Sequence, residues 1–307
     1  MQNDSNVELL REASRRVIRE VGLLRPTQHG TGTTATQGHL LVELGRHGTS
    51  SALELAASLC VDKSNASRTL EQLKRRGLVA FERNTMDRRR KDVELTKKGR
   101  ACLKRIHRSA ASTVEAGLDQ LDREEQELVL RGMALYANAL ASARLLKEVK
   151  IRKIRNADDP KIAKIIRSVR HEYGVDEQDW LPKGDEALPS LTSEYKGPRC
   201  GYYVAVKKGQ VVGGAGIVPL TGDELNTAEL QRMYLLSAER GVGIGRMLFE
   251  RCVNEAKTHG YKRLYMETAA SLARAITLYE RMGCEQLPRR IGATDHDGRG
   301  APFVLDL

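Results

Sequence analysis

The chain has 307 residues, 40% hydrophobic and 30% charged, a length and balance that suit two ordinary globular domains and exclude a disordered chain. Its apolar runs are only a few residues long, and the opening MQNDSNVELLREASRRV carries charge where a signal peptide needs an apolar core, so a cytoplasmic protein with no membrane partner is expected. The net charge of +11 is uneven: residues 1–146 hold 25 Lys/Arg against 18 Asp/Glu, a balance of +7 that leaves +4 for the rest, and residues 83–108 alone carry 11 basic and 3 acidic side chains, a nucleic-acid signal.

In chain order, Leu9, Leu10, Ala13, Val17, Val21 and Leu24 recur at helical spacing up to Pro26, and a second helix is expected over about 35–44 after the turn HGTGTTATQG. Ser51 followed by Glu54 forms a capping box that opens a short helix, with Leu53, Ala56 and Ala57 expected inward. A turn at Cys60 to Asp62 leads to another helix with Ala66, Leu70 and Leu73 on one face. The opposite face holds Ser64, Arg68, Glu71 and Arg75, flanked by Asn65 and Gln72. Such a pair is either a solvated amphipathic hairpin or a helix-turn-helix whose second helix pairs with base edges in the major groove. Gly77 then ends the helix, and LVAFER and VELT read as the two strands of a hairpin. Its charged tip carries Arg88, Arg89, Arg90 and Lys91, suited to phosphates or a narrow minor groove.

SRTLEQLKRRGLV followed by DRRRKDVELTKKG resembles the MarR family of winged-helix regulators over roughly residues 35–100. The resemblance implies a homodimer, held by terminal helices, on double-stranded DNA, with Ser64, Asn65, Arg68, Arg75, Arg88, Arg89 and Arg90 as DNA-contacting residues. Thr96 is placed to cap a long helix to about Gly117, and Asp122 to open another containing Leu128, Leu135 and Leu140, apolar surface that dimerisation would cover.

Near Lys147 the spacing changes to alternation at Val149, Ile151 and Ile154, marking the boundary between a domain of residues 1–146 and one of residues 147–307. A helix over 161–173 follows, then an acidic loop, 174–198, with Asp176, Glu177, Asp179, Asp185, Glu186 and Glu194, and two strands in GYYVAVKKGQVVGGAGIVPL turning at Lys207 to Gln210. The next strand, 228–235, has Leu230, Met233 and Leu235 out of strict alternation, as a bulge produces. RGVGIGR then feeds a helix with Met247, Leu248, Cys252, Val253 and Ala256 inward. Its glycines let a ligand approach the backbone, and the first amides of the helix suit a pyrophosphate. A Walker A loop is excluded by the missing Gly-Lys-Ser/Thr, and a dinucleotide fingerprint by the glycine spacing; a purely structural turn stays open. Cys60, Cys102, Cys200, Cys252 and Cys284 are scattered without the two-residue spacing of zinc or redox pairs, so packed, reduced thiols and no metal are expected.

ELQRMYLLSAERGVGIGRML, with RLYMET and ARAITLYERMGCE beyond it, resembles the GNAT acetyltransferase superfamily across residues 149–307. The resemblance implies an α/β domain with a mixed, mostly antiparallel sheet behind a mostly α winged helix-turn-helix domain, and acetyl-CoA as acyl donor to an amine. It assigns the pyrophosphate to Arg240, Gly243 and Gly245 within the turn Arg240, Gly241, Val242, Gly243, Ile244, Gly245, Arg246, and the pantetheine arm to the backbone of Met233, Tyr234 and Leu235. Glu229 is the expected base, with an ordinary strand carboxylate as the alternative, and Tyr279 the expected acid for the departing thiolate. One position departs from the family: Leu272 stands where an asparagine is usual. The whole chain is then read as a DNA-binding regulator that also acetylates an unidentified amine. The alternatives are a regulator that only senses acetyl-CoA and an acetyltransferase whose winged helix serves dimerisation.

Overall fold

A computed structural model describes residues 2–83, 91–174, 190–223, 226–269, 271–293 and 300–307. The chain divides into two compact units at Arg131/Gly132. The first begins with α1 (Gln2–Glu20), α2 (Ala35–His47), β1 (Ser50–Ser51), α3 (Ala52–Ser58) and α4 (Lys63–Arg75), and continues with β2 (Val79–Arg83), β3 (Lys91–Leu95) and α5 (Lys97–Leu118). Helix α6 (Arg123–Leu146) crosses the division. Caps set several starts: Thr34, Ser51 and Thr96 each accept the backbone N–H three residues on, which satisfies a donor that has no partner within the helix. Helix α1 stops at Glu20, earlier than Pro26, because Gly22 takes φ +74° and turns the chain.

Leu40, Leu41, Leu44, Leu70, Leu73 and Val93 are almost fully buried in the core that these elements share. In α3 the inward residues are Leu55 and Ala56; Leu53 and Ala57, expected inward, face solvent, Leu53 being 62% exposed. A helix of seven residues has too few turns for its apolar spacing to fix the phase. Strands order as β1-β3-β2, all antiparallel, and Lys91 pairs with Arg83 within the ladder instead of forming part of the tip.

The second unit contains β4 (Val149–Lys153), a 3-10 turn at Asn156–Asp158, α7 (Asp159–Glu172), α8 (Leu191–Glu194), β5 (Gly201–Lys207), β6 (Gln210–Pro219), β7 (Thr227–Leu235), α9 (Ile244–Thr258), β8 (Arg263–Thr268), α10 (Ala273–Arg281), β9 (Glu285–Gln286) and β10 (Ala301–Asp306). The sheet runs β4-β5-β6-β7-β8-β10-β9 and is antiparallel except for the β7/β8 pair. One face packs on α9 and α10 through Leu248, Phe249, Cys252, Leu264 and Met266, and the other on α7 and α8 through Ile162, Ile166, Leu191, Tyr195 and Tyr202. Phe249, which the sequence reading left out of the core, is fully buried; Met247 and Val253 lie at its margin.

Two features of β7 shape what lies beside it. Gly214 faces Tyr234 while Gly216 faces Gln231, so β7 carries one extra residue, and Arg232 at that bulge has φ +50°. Ala228 and Leu230 point to the α9 core before the bulge; Met233 and Leu235 do so after it. Gly213 is needed opposite: a Cβ there would sit 2.4 Å from the Tyr234 carbonyl oxygen. Parallel pairing with β8 covers only Thr227 to Leu230, so beyond the bulge no strand among the described residues pairs with the β8-facing edge of β7.

Asp158 is anchored by Arg152, Nη1 to Oδ2 at 2.6 Å and Nη2 to Oδ1 at 2.9 Å, and accepts the Arg155 amide at 2.9 Å. The guanidinium holds this buried carboxyl below the usual carboxylate range. Its contribution to stability is therefore complete above about pH 4, the unfolded value, and is lost as pH falls through the lower folded pKa. Asp158→Asn should lower urea midpoints at pH 7 and leave a shallower acid limb than the parent; parallel acid limbs would contradict the assignment.

Candidate active site and nucleic-acid face

The second unit contains a cleft of about 680 Å³ between the free edge of β7, the turn before α9, and α10. Met233, Tyr234, Leu235, Arg240, Gly241, Gly243, Gly245 and Arg246 line one side; Leu272, Arg274, Thr277, Tyr279 and Arg281 line the other. The turn exists because its glycines permit it. Gly241 has φ +79° and Gly243 φ +100°, and a Cβ on Gly243 would lie 3.1 Å from the Leu146 side chain. Val242 packs against the core and Ile244 is buried in it, which aims the glycine backbone at the cleft. Gly243 is the N-cap of α9, a helix of 15 residues, so the first amides of that helix open toward the cleft with a partial positive charge.

Arg246, Arg274 and Arg281 add cationic side chains to the cleft, Arg246 being held by Glu250 at 2.7 Å. A polyanion fits such a lining, and an extended chain can add to the free β7 edge as a strand would. Arg240 is engaged within the protein. Its Nε donates to the Leu235 carbonyl at 2.9 Å, Nη1 and Nη2 each donate to Glu172 at 2.7 Å, and Nη1 also reaches the Tyr173 hydroxyl at 3.1 Å. Leu272, in the place of the usual asparagine, presents an apolar side chain to the cleft.

Tyr279 lines the cleft yet is only 5% exposed, with its ring 5.9 Å from Phe249 and 5.7 Å from Phe303. Burial pushes its phenol above the ordinary pKa, so the group carries its proton at neutral pH. Glu229 does not line this cleft. It alternates with the core residues Ala228 and Leu230 and so faces the α7 and α8 side, where it accepts Gln231 Nε2 at 2.7 Å. Gln231 in turn accepts the Tyr195 hydroxyl at 3.0 Å, and Arg232 pairs with Glu194 beside it. This Tyr195–Gln231–Glu229 chain was not legible in the sequence, since it joins residues 36 apart with no shared periodicity. Of the acidic loop, 175–189 falls outside the described residues; Glu194 is the member that is placed. Cys102, Cys252 and Cys284 are buried, and burial pushes the Cys284 thiol up to about 11, opposite to an activated thiolate. Among the described residues no three His, Cys, Asp or Glu side chains cluster as a metal site would require, and no helix is long and apolar enough to cross a membrane.

In the first unit, Ser64, Arg68, Glu71 and Arg75 are exposed on one face of α4, and Asn65 is partly so. Asp62 caps the helix by accepting the Asn65 amide at 2.7 Å. Gln72 is exposed beside that face and accepts Gln37 Nε2 at 3.0 Å. Arg76 donates to the carbonyls of Thr31 and Gly32 at 3.0 Å each, tying α4 to the segment before α2. Arg88, Arg89 and Arg90 lie outside the described residues.

Residues 166–284 match the acetyltransferase (GNAT) family and residues 33–91 the MarR family. The uncharacterized N-acetyltransferase YjgM of Escherichia coli (strain K12) is 41% identical over 146 residues, 48% of this chain and 87% of that protein. The N-acetylaspartate synthetase of Rattus norvegicus is 38% identical over 101 residues, 33% of this chain and only 32% of that protein. Among solved structures, an acetyltransferase of the GNAT family from Staphylococcus aureus Mu50 aligns with a TM-score of 0.46 at 16% identity, covering 52% of this chain and 98% of that one.

Proposed function

We propose, from the premise that this chain belongs to the GNAT acetyltransferase family and carries a MarR-family segment ahead of it, that it is a DNA-binding transcriptional regulator and an acetyl-CoA-dependent N-acetyltransferase in one polypeptide. The observation that carries the enzymatic part is the cleft in which a glycine turn opens a 15-residue helix beside the unpartnered edge of β7. In this reading residues 1–146 bind DNA and dimerise, and residues 147–307 transfer the acetyl group, a partition consistent with a cytoplasmic protein.

Bound acetyl-CoA would supply a thioester whose acyl carbon accepts an amine. The chain's own groups do the rest. Backbone amides from Gly241 to Arg246 hold the pyrophosphate, and Met233 to Leu235 align the pantetheine arm by main-chain hydrogen bonds. Glu229 takes the ammonium proton, directly or through a water, from the α7 and α8 side of the sheet. Tyr279 donates its Oη proton to the departing sulfur from the α10 side. The lining of the cleft supports this division, because it includes Val169 and Tyr173 from the α7 side as well as Tyr279 of α10.

For the regulatory part, the exposed face of α4 with Ser64, Asn65, Arg68 and Arg75 enters the major groove. Leu9, Leu10 and Val17 of α1 and Leu128 and Leu130 of α6 are all at least 44% exposed, apolar side chains that a second copy of the chain would cover. Leu272 favours one further reading, a domain that binds acetyl-CoA as a signal without turning it over.

Titration calorimetry with coenzyme A, followed by acetyl-CoA consumption across amino acids, polyamines, peptide N-termini and aminoglycosides, tests these readings in order. Binding with turnover of one amine class is expected. Binding without turnover selects the sensor, and absence of binding removes both.

A further inference from the structure

The geometry points to Glu172 as a positioning residue for the cofactor loop, holding Arg240 as a clamp on that loop and away from the ligand's phosphates. This inference rests on the acetyl-CoA reading above. Glu172 is the last residue of α7, where the negative end of the helix disfavours a carboxylate, so its presence there calls for a compensating cation. That cation is Arg240: both carboxylate oxygens accept from it at 2.7 Å, and the pair holds Glu172 below and Arg240 above their ordinary pKa values.

Arg240 itself is only 11% exposed. Three of its nitrogens are already engaged, by the end of β7 at Leu235 and by the end of α7 at Glu172 and Tyr173, and the guanidinium lies 5.3 Å from the Tyr173 ring centroid. The residues that follow, Gly241 and Gly243, have positive φ and the largest conformational freedom of any residue type. Left alone, such a turn would spend much of its time with its amides misdirected. The clamp ties its first residue to two rigid elements and preforms the cradle, which lowers the ordering cost on binding. The phosphates are left to the turn amides and to the arginines that line the cleft beyond it.

The alternative, in which Arg240 leaves Glu172 to grip the pyrophosphate, makes the opposite prediction, because Glu172 would then compete with the ligand. Calorimetry on the full-length protein separates the two, with coenzyme A and pantetheine as probes. Glu172→Gln should bind coenzyme A roughly tenfold more weakly than the parent, the scale of one lost charge-assisted contact, with pantetheine affinity unchanged. The exchange Glu172→Arg with Arg240→Glu should recover part of the loss. A urea midpoint equal to the parent's is expected, since Glu172 is 42% exposed. Unchanged or tighter coenzyme A binding by Glu172→Gln overturns the clamp, and so does an equal loss for pantetheine. A parent protein with no coenzyme A affinity sinks the acetyl-CoA reading itself.

Discussion

Tyr279→Phe should reduce turnover by roughly a hundred- to ten-thousand-fold, the range a single general acid contributes, while coenzyme A affinity stays within about twofold of the parent. The substitution removes one oxygen and leaves the ring, so the packing against Phe249 and Phe303 persists and the fold is not at issue. What it removes is a phenol at the wall of the cleft that burial keeps protonated through neutral pH. A raised pKa weakens the driving force for donation, yet it guarantees that the proton is present when the thiolate leaves. The measurement is steady-state acetyl-CoA consumption with whichever amine the parent acetylates, alongside calorimetry. Equal turnover by the two proteins would reduce Tyr279 to a packing residue.

Binding to a random-sequence 30-base-pair duplex should weaken by about a thousandfold or more between 50 and 200 mM salt, as six to ten neutralised phosphates require. The winged half has the charge for this, 25 Lys/Arg against 18 Asp/Glu over residues 1–146, with Arg68 and Arg75 exposed on α4. Arg68→Ala should make the logarithmic salt slope shallower by about one if that guanidinium meets a phosphate. It should instead preserve the slope and relax sequence preference if it meets a base. A slope near zero for the parent would favour the view that this half only joins two copies of the chain.

Local grammar made much of this architecture readable. The Ser51/Glu54 box, the Thr96 cap and the bulge implied by the misphased Leu230, Met233 and Leu235 are all interactions within a few residues, where side-chain spacing reports backbone geometry directly. The glycine turn before α9 was equally plain, because positive φ selects glycine. Phase failed in α3, where Leu55 took the buried place expected for Leu53, since seven residues make barely two turns. Partnerships across the chain were illegible for a different reason: Arg240 and Glu172 are 68 residues apart, and only the folded sheet brings the end of α7 to the end of β7. Arg240 consequently read as a ligand-binding cation, with no sign in the sequence that Glu172 would bond it. The bond from Gln37 to Gln72 was hidden in the same way, because the two lie on different helices.

The extra residue at Arg232 has a consequence for how β7 can vary. Strand side chains keep strict parity, so a single insertion exchanges odd for even: Tyr234 goes to the α7 side and its neighbours to the α9 side, the reverse of what an uninterrupted count from Leu230 would give. Chain length at this point is therefore a stricter constraint than residue identity. Glycine in place of Arg232 would relieve a left-handed backbone, whereas dropping the position would swap the two surfaces of the strand's distal third and carry the cleft-lining segment out of register with the turn that follows it.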